Sequence, residues 1–132
     1  MSLADLNQGD SLPELKVTPD KYLPHRYAGA SGDFNPIHID PEFAKQVGLP
    51  GNILHGLYMM ALVARANGEI AEGDPRALKK LSVQFRGMGA PEQEIVVSGQ
   101  VTEVDGNRVL TECVAKQGDK RVIRNALAEI EI

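Results

Sequence analysis

The chain has 132 residues, 42% of them hydrophobic and 24% charged, the balance of one soluble globular domain of ordinary size. Eighteen acidic against fourteen basic side chains give a net charge of −4, which argues against non-specific binding to nucleic acid or anionic membranes. A single cysteine, Cys113, excludes an intramolecular disulfide and a thiolate metal cluster.

The first third is turn-rich. Leu12 to Val17 is expected to form a short strand, and a helix opening at Thr18-Pro19 or Leu23-Pro24 runs to about Ser31. Pro24 favours the later start, since proline is tolerated in the first turn and costly inside a helix. Ser31 to Asp40, with Gly, Asp, Asn and Pro in close order, is expected to be structured loop. Asp40 then caps a short helix that presents Phe43 and Val47 on one face and ends at Gly48.

A second loop leads to Ile53-Leu54-His55-Gly56, and from there a helix is expected to about Glu72, with Gly73 as its stop. Its first half, Leu57 to Ala64, is apolar on every side, which predicts burial all round. That apolar run is about 8 residues, against the roughly 20 needed to span a bilayer. The remainder is strand. Leu81, Val83 and Phe85 alternate with polar residues; Glu94 to Val104 and Arg108 to Lys116 flank a hairpin turn at Asp105-Gly106-Asn107. Gly118-Asp119 turns into a last strand with Val122, Ala126, Ala128, Ile130 and Ile132 on one face. One apolar helix followed by a meander predicts an α+β domain spanning 1–132, an antiparallel sheet wrapped around a central helix.

Asp33, Asn35 and His38 fall in one short loop. Acid–base chemistry needs a proton acceptor and a donor beside the same reactant, and histidine titrates near neutrality. On spacing alone, Asx-turns at Asp33 and Asn35 with a surface histidine account for the same residues. A metal site at Asp33, His38 and Asp40 lacks the usual histidine spacing. Gly56 stands where a loop enters the apolar helix, so its N–H could face a carbonyl oxygen; close packing, with His55 as a core histidine, is the simpler alternative. His25 is expected on a helix surface without a role, and Lys79, Lys80 and Arg86 could meet a phosphorylated carrier or line a solvated strand end.

Tyr27 to Asp40, YAGASGDFNPIHID, together with Phe43-Ala44 and the later Ile53-Leu54-His55-Gly56, resembles the hydratase motif of the MaoC-like dehydratase family. That family includes (R)-specific enoyl-CoA hydratases and (3R)-hydroxyacyl-carrier-protein dehydratases. Two positions depart from it: Ala64 lies where some members have serine, and Gly87 follows Arg86 where proline is commoner. The resemblance implies a hot-dog fold, usually dimeric, with Asp33 and His38 as the catalytic pair. It further implies that Asn35, His55 and Gly56 serve substrate binding, the Gly56 N–H polarising the thioester carbonyl. The expected protein is a cytoplasmic hydro-lyase of fatty acid metabolism, without metal or cofactor, acting on thioesters of CoA or acyl carrier protein. A homodimer is expected, with a heterodimer or a dimer of dimers as alternatives. The rivals are a hot-dog acyl thioesterase, which would carry its carboxylate on the central helix, and a dehydratase subunit active only with a partner.

Overall fold

A computed structural model describes residues 5–132. Five antiparallel strands, β1 (Leu15–Val17), β2 (Leu78–Phe85), β3 (Ile95–Asp105), β4 (Arg108–Gln117) and β5 (Lys120–Glu131), form one sheet in the order β1-β3-β4-β5-β2. The α+β expectation holds, with the sheet packed on a central helix, α4 (Gly56–Gly68), which continues as a 3-10 turn over Glu69–Ala71. Three shorter helices precede it: α1 (Leu23–Ser31), α2 (Pro36–Ile39) and α3 (Pro41–Gln46).

The strands follow from alternation. Along β4 the residues Val109, Thr111, Cys113 and Ala115 are buried and face α4, while Glu112 between them is exposed. Gly106 and Gly118 take the positive φ that the two-residue hairpin turns require. Gly99 pairs with Cys113 at a close approach: a Cβ there would lie 2.5 Å from the Cys113 sulfur. In β5 the register slips near Asn125, which has φ 49°, so that Val122 and Ile123 are both buried, whereas Ile132 is exposed.

The core runs from Leu54, Met59, Leu62, Val63, Ala66 and Ile70 to the inward side chains of the sheet. Between β2 and β3, the buried Gln117 pins the connecting loop. Its amide accepts from the Ala90 N–H at 2.8 Å and donates to the Ala90 carbonyl at 2.8 Å and to that of Gln93 at 3.1 Å.

Several expectations change in detail. The N-terminal strand is shorter than Leu12 to Val17, although Leu12 is buried and its N–H donates to the Gly99 carbonyl. The loop expected over Ser31 to Asp40 contains the single turn α2, because Asn35 and Pro36 supply a cap and a first helical residue. In α3 the buried side chain is Ala44, and Phe43 and Val47 are both exposed. The first half of α4, expected to be buried all round, is not: Leu57, 64% accessible, and Ala61 one turn on are exposed, and Arg65 continues the same stripe. Apolar composition told how much surface wants covering, and the single chain covers only part of it. No helix among the described residues is long and apolar enough to cross a membrane.

Candidate active site

The loop between α1 and α2 holds Asp33 and leads into His38, the pair expected to do acid–base work, and its shape is local. Gly32, at φ 80°, ends α1 and returns its N–H to the Ala28 carbonyl. The Asp33 N–H then donates to Ser31 Oγ at 3.2 Å, and Asp33 Oδ1 accepts the Asn35 N–H at 3.2 Å. Asn35 Oδ1 accepts the Ile37 N–H at 3.2 Å and caps α2. Asp40 repeats the device one turn on, accepting from the Glu42 and Phe43 N–H groups to cap α3. Both Asx-turns of the simpler sequence reading are therefore present, and they serve to hold the loop. His25, though exposed, donates from Nε2 to the Ile39 carbonyl at 3.1 Å and ties α1 to the end of α2.

His38 is buried, and its Nδ1 lies 2.8 Å from the Ile53 carbonyl. A carbonyl only accepts, so Nδ1 carries the hydrogen and, in the neutral ring, Nε2 keeps its lone pair. That Nε2 lies 3.9 Å from Asp33 Oδ2, while the Asp33 side chain is 54% exposed. The pair is thus one fixed, buried imidazole facing one solvated carboxylate. His55 lies flat against His38, ring centroids 3.8 Å apart and planes 20° apart, and its Nε2–H donates to the Asp33 carbonyl at 3.0 Å. Its Nδ1 is buried without a partner.

Asp33, His38 and His55 place donor atoms within 4.8 Å of one another. The two imidazoles are stacked, however, so the lone pairs in their ring planes run side by side and do not converge on one point as a tetrahedral ion requires. The set suits acid–base work better than metal binding.

A cavity of about 290 Å³ opens beside the loop, lined by Tyr27, Ser31, Asp33, His55, Gly56, Leu57 and Phe85. Gly56 is the first residue of α4, and neither its N–H nor that of Leu57 has a partner among the described residues. Free N–H groups at the positive end of the helix face a ligand carbonyl well. A Cβ at Gly56 would come within 3.1 Å of the Phe85 ring, so glycine leaves room there. His38 does not itself line this cavity; its Nε2 faces Asp33, which does. Asn35 does not line it; its amide oxygen is engaged in the α2 cap.

Leu57 and Phe85 were not legible as site residues. Leu57 reads as core by its apolar setting, and Phe85 reads as one more inward residue of an alternating strand. Tyr27 and Ser31 had a signal, since both stand inside the motif that carries Asp33.

The model of the MaoC like domain matches residues 7–125. Among characterised proteins, Enoyl-CoA hydratase 2, peroxisomal, of Arabidopsis thaliana is 34% identical over 111 residues, covering 83% of this chain and 34% of that protein. The fatty acid synthase beta subunit hexB of Dothistroma septosporum is 34% identical over 129 residues, 95% of this chain and 6% of that subunit. The chain therefore spans about a third or less of these relatives. A solved structure described as a MaoC-like dehydratase superposes with a TM-score of 0.90 at 30% identity, covering 99% of this chain and 42% of that one. The R-hydratase of Pseudomonas aeruginosa in its unliganded form gives 0.84 at 25% identity, covering 98% and 83%. By its sequence match over most of its length and by its hot-dog architecture, this chain belongs to the MaoC-like domain family.

Proposed function

We propose that this chain is an (R)-specific hydro-lyase that reversibly adds water to trans-2-enoyl thioesters to give (3R)-hydroxyacyl thioesters. The observation that carries it is the Asp33–His38 pair, Oδ2 and Nε2 3.9 Å apart, beside a cavity whose wall includes the free N–H end of α4. Atoms at that separation can both hydrogen-bond one water oxygen. Membership of the family, and relatives named as a hydratase and a synthase subunit, support the same chemistry.

One member of the pair takes a proton from water as its oxygen bonds to C3, and C2 receives a proton from the same face. Negative charge gathers on the thioester oxygen, which the Gly56 N–H stabilises. Removing such a donor typically costs about 3–4 kcal/mol of barrier. The thioester bond stays intact. In a thioesterase it would break, and α4 carries no acidic side chain before Glu69, which is exposed at its far end.

The substrate is a thioester of CoA or of acyl carrier protein. A second copy of the chain is the proposed partner, in preference to a different subunit. Among the described residues β2 is an edge strand with its outer side unpaired, and Phe85, Met88 and Leu57 are exposed, an apolar border that a copy would cover. The cytoplasm is the proposed compartment, where the lone buried Cys113 remains a thiol.

The test is loss of the conjugated-enoyl absorbance with crotonyl and longer enoyl thioesters, on CoA and on acyl carrier protein, while free thiol is followed. Hydration without thiol release is expected. Thiol release without hydration would replace this reading with the thioesterase. Activity appearing only when a second protein is added, with light scattering showing a monomer alone, would replace the homodimer.

A further inference from the structure

We propose that His55 is a positioning residue that sets the geometry of the Asp33–His38 pair, by one hydrogen bond to the loop and by the face of its ring; this rests on the hydratase reading above. The residue is 2% exposed and stands as the N-cap of α4, where its side chain makes no capping hydrogen bond. Its Nε2–H reaches the Asp33 carbonyl, 22 positions away in sequence, at 3.0 Å. That bond fixes the backbone of the residue whose carboxylate reacts. Without it, the hydrogen bonds left to Asp33 among the described residues are local, its N–H to Ser31 Oγ and its Oδ1 from the Asn35 N–H.

The ring does the second part. His38 is anchored at Nδ1 by the Ile53 carbonyl, which fixes one end of the imidazole and leaves the plane free to tilt about that end. A flat neighbour 3.8 Å away, inclined by 20°, removes that freedom and aims Nε2 at Asp33. His55 is in turn held by Tyr27, at 4.7 Å between ring centroids, and Tyr27 by Tyr58 at 5.8 Å. The orphaned Nδ1 fits this role. With the hydrogen on Nε2, Nδ1 is a bare lone pair, the cheaper form of nitrogen to bury unpaired, because an unpaired N–H would add a charge against His38. A residue chosen only to fill space here would be apolar; one chosen to bind substrate would not spend its donor on the Asp33 backbone.

Two substitutions separate the two contributions. His55→Phe keeps a flat ring and removes the donor, while His55→Gln keeps an amide donor and removes the stack. Misplacing a reacting group by about 1 Å can cost on the order of 10²-fold. We expect His55→Phe to lower kcat by about 30- to 100-fold with KM changed by less than about 3-fold, and His55→Gln to recover to within about 10-fold of the parent. A raised KM with kcat retained would make His55 a substrate ligand, and a kcat within about 2-fold of the parent in His55→Phe would make it packing; either overturns the proposal. If His55→Phe does not fold, His55→Asn, whose shorter amide falls short of the carbonyl, is expected to show the same kcat loss.

Nitrogen-15 spectra of the imidazoles give a readout independent of turnover. The parent should show His55 with its proton on Nε2 and His38 with its proton on Nδ1, and the His38 signals should shift or broaden in the variants. If the parent hydrates no enoyl thioester, the hydratase reading fails and these spectra alone decide: unchanged His38 ring and Asp33 amide signals in a folded variant would refute the positioning role.

Discussion

The central helix carries a buried polar cluster at each end, and the two are built on opposite rules. Toward its C-terminal end, Asn67 is fully buried and every polar atom of its cluster is engaged. Its amide donates to the Val63 carbonyl at 2.9 Å and to the Cys113 sulfur at 3.5 Å, and its oxygen accepts from the Thr111 hydroxyl. At the N-terminal end groups are left unfinished: the Gly56 and Leu57 N–H groups have no partner among the described residues, and His38 and Asp33 face each other across 3.9 Å. A satisfied cluster locks helix to sheet and has no capacity left for a ligand. An unsatisfied one retains hydrogen-bonding capacity that only a substrate can use.

Four measurements can break or sharpen that contrast. The largest effect belongs to the N-terminal cluster: Asp33→Ala and His38→Ala should each lower kcat for enoyl-thioester hydration by on the order of 10²- to 10⁴-fold while circular dichroism stays unchanged. Near-parental turnover in either would remove the pair from the mechanism. Next is Gly56→Pro, because proline suits the first helical position and deletes one N–H. With the Phe85 ring moving by a few tenths of an ångström, a kcat loss of about 10²- to 10³-fold is expected.

The C-terminal cluster should respond in the opposite currency. Thr111→Val removes the donor to the Asn67 oxygen and should cost about 1–3 kcal/mol of stability, read as a shift in denaturant midpoint, with kcat within about 2-fold. A kcat loss larger than the stability loss explains would merge the two clusters into one functional unit.

The smallest effect lies on the sheet surface. Glu129 is held below its usual carboxylate range by the hydrogen bond from Arg108 at 2.7 Å. A depressed folded-state pKa stabilises above the unfolded value of about 4.3, and the benefit fades as pH falls through the lowered value. The difference in melting temperature between the parent and Glu129→Gln should therefore be present at pH 6–7 and close in stronger acid. A constant gap would show that the pair is not what couples stability to pH.

Much of this was legible beforehand because the informative residues are local. Asp33, Asn35, Pro36 and His38 sit within one turn-forming stretch, so spacing alone places them on one loop. Gly106 and Gly118 mark their hairpins for the same reason. What stayed hidden depends on partners far away in the chain. Asn67 reads as a lone polar residue near the end of an apolar helix, and nothing near it announces that Thr111 and Cys113 arrive from β4. The stacking of His55 on His38 needs two loops to meet, and the exposure of Leu57 depends on how far the sheet reaches around α4. Helical periodicity reports which surfaces are apolar and says nothing of whether one chain suffices to cover them.

The segment that holds Asp33 and His38 is braced largely from within residues 25 to 58. His25 holds Ile39, Asn52 and Ile53 hold the Ile37 carbonyl, Ile53 holds His38, and His55 holds Asp33. Outside that stretch, the Leu54 N–H bond to the Gly89 carbonyl, the packing of the Leu54 side chain in the core and the Phe85 ring beside Gly56 link it to the sheet side. The reacting geometry is therefore a portable cassette seated on a platform. Most sheet positions are free to drift without moving Asp33 or His38, so divergent sequences can keep this geometry while reshaping whatever the proposed acyl chain and its carrier would touch.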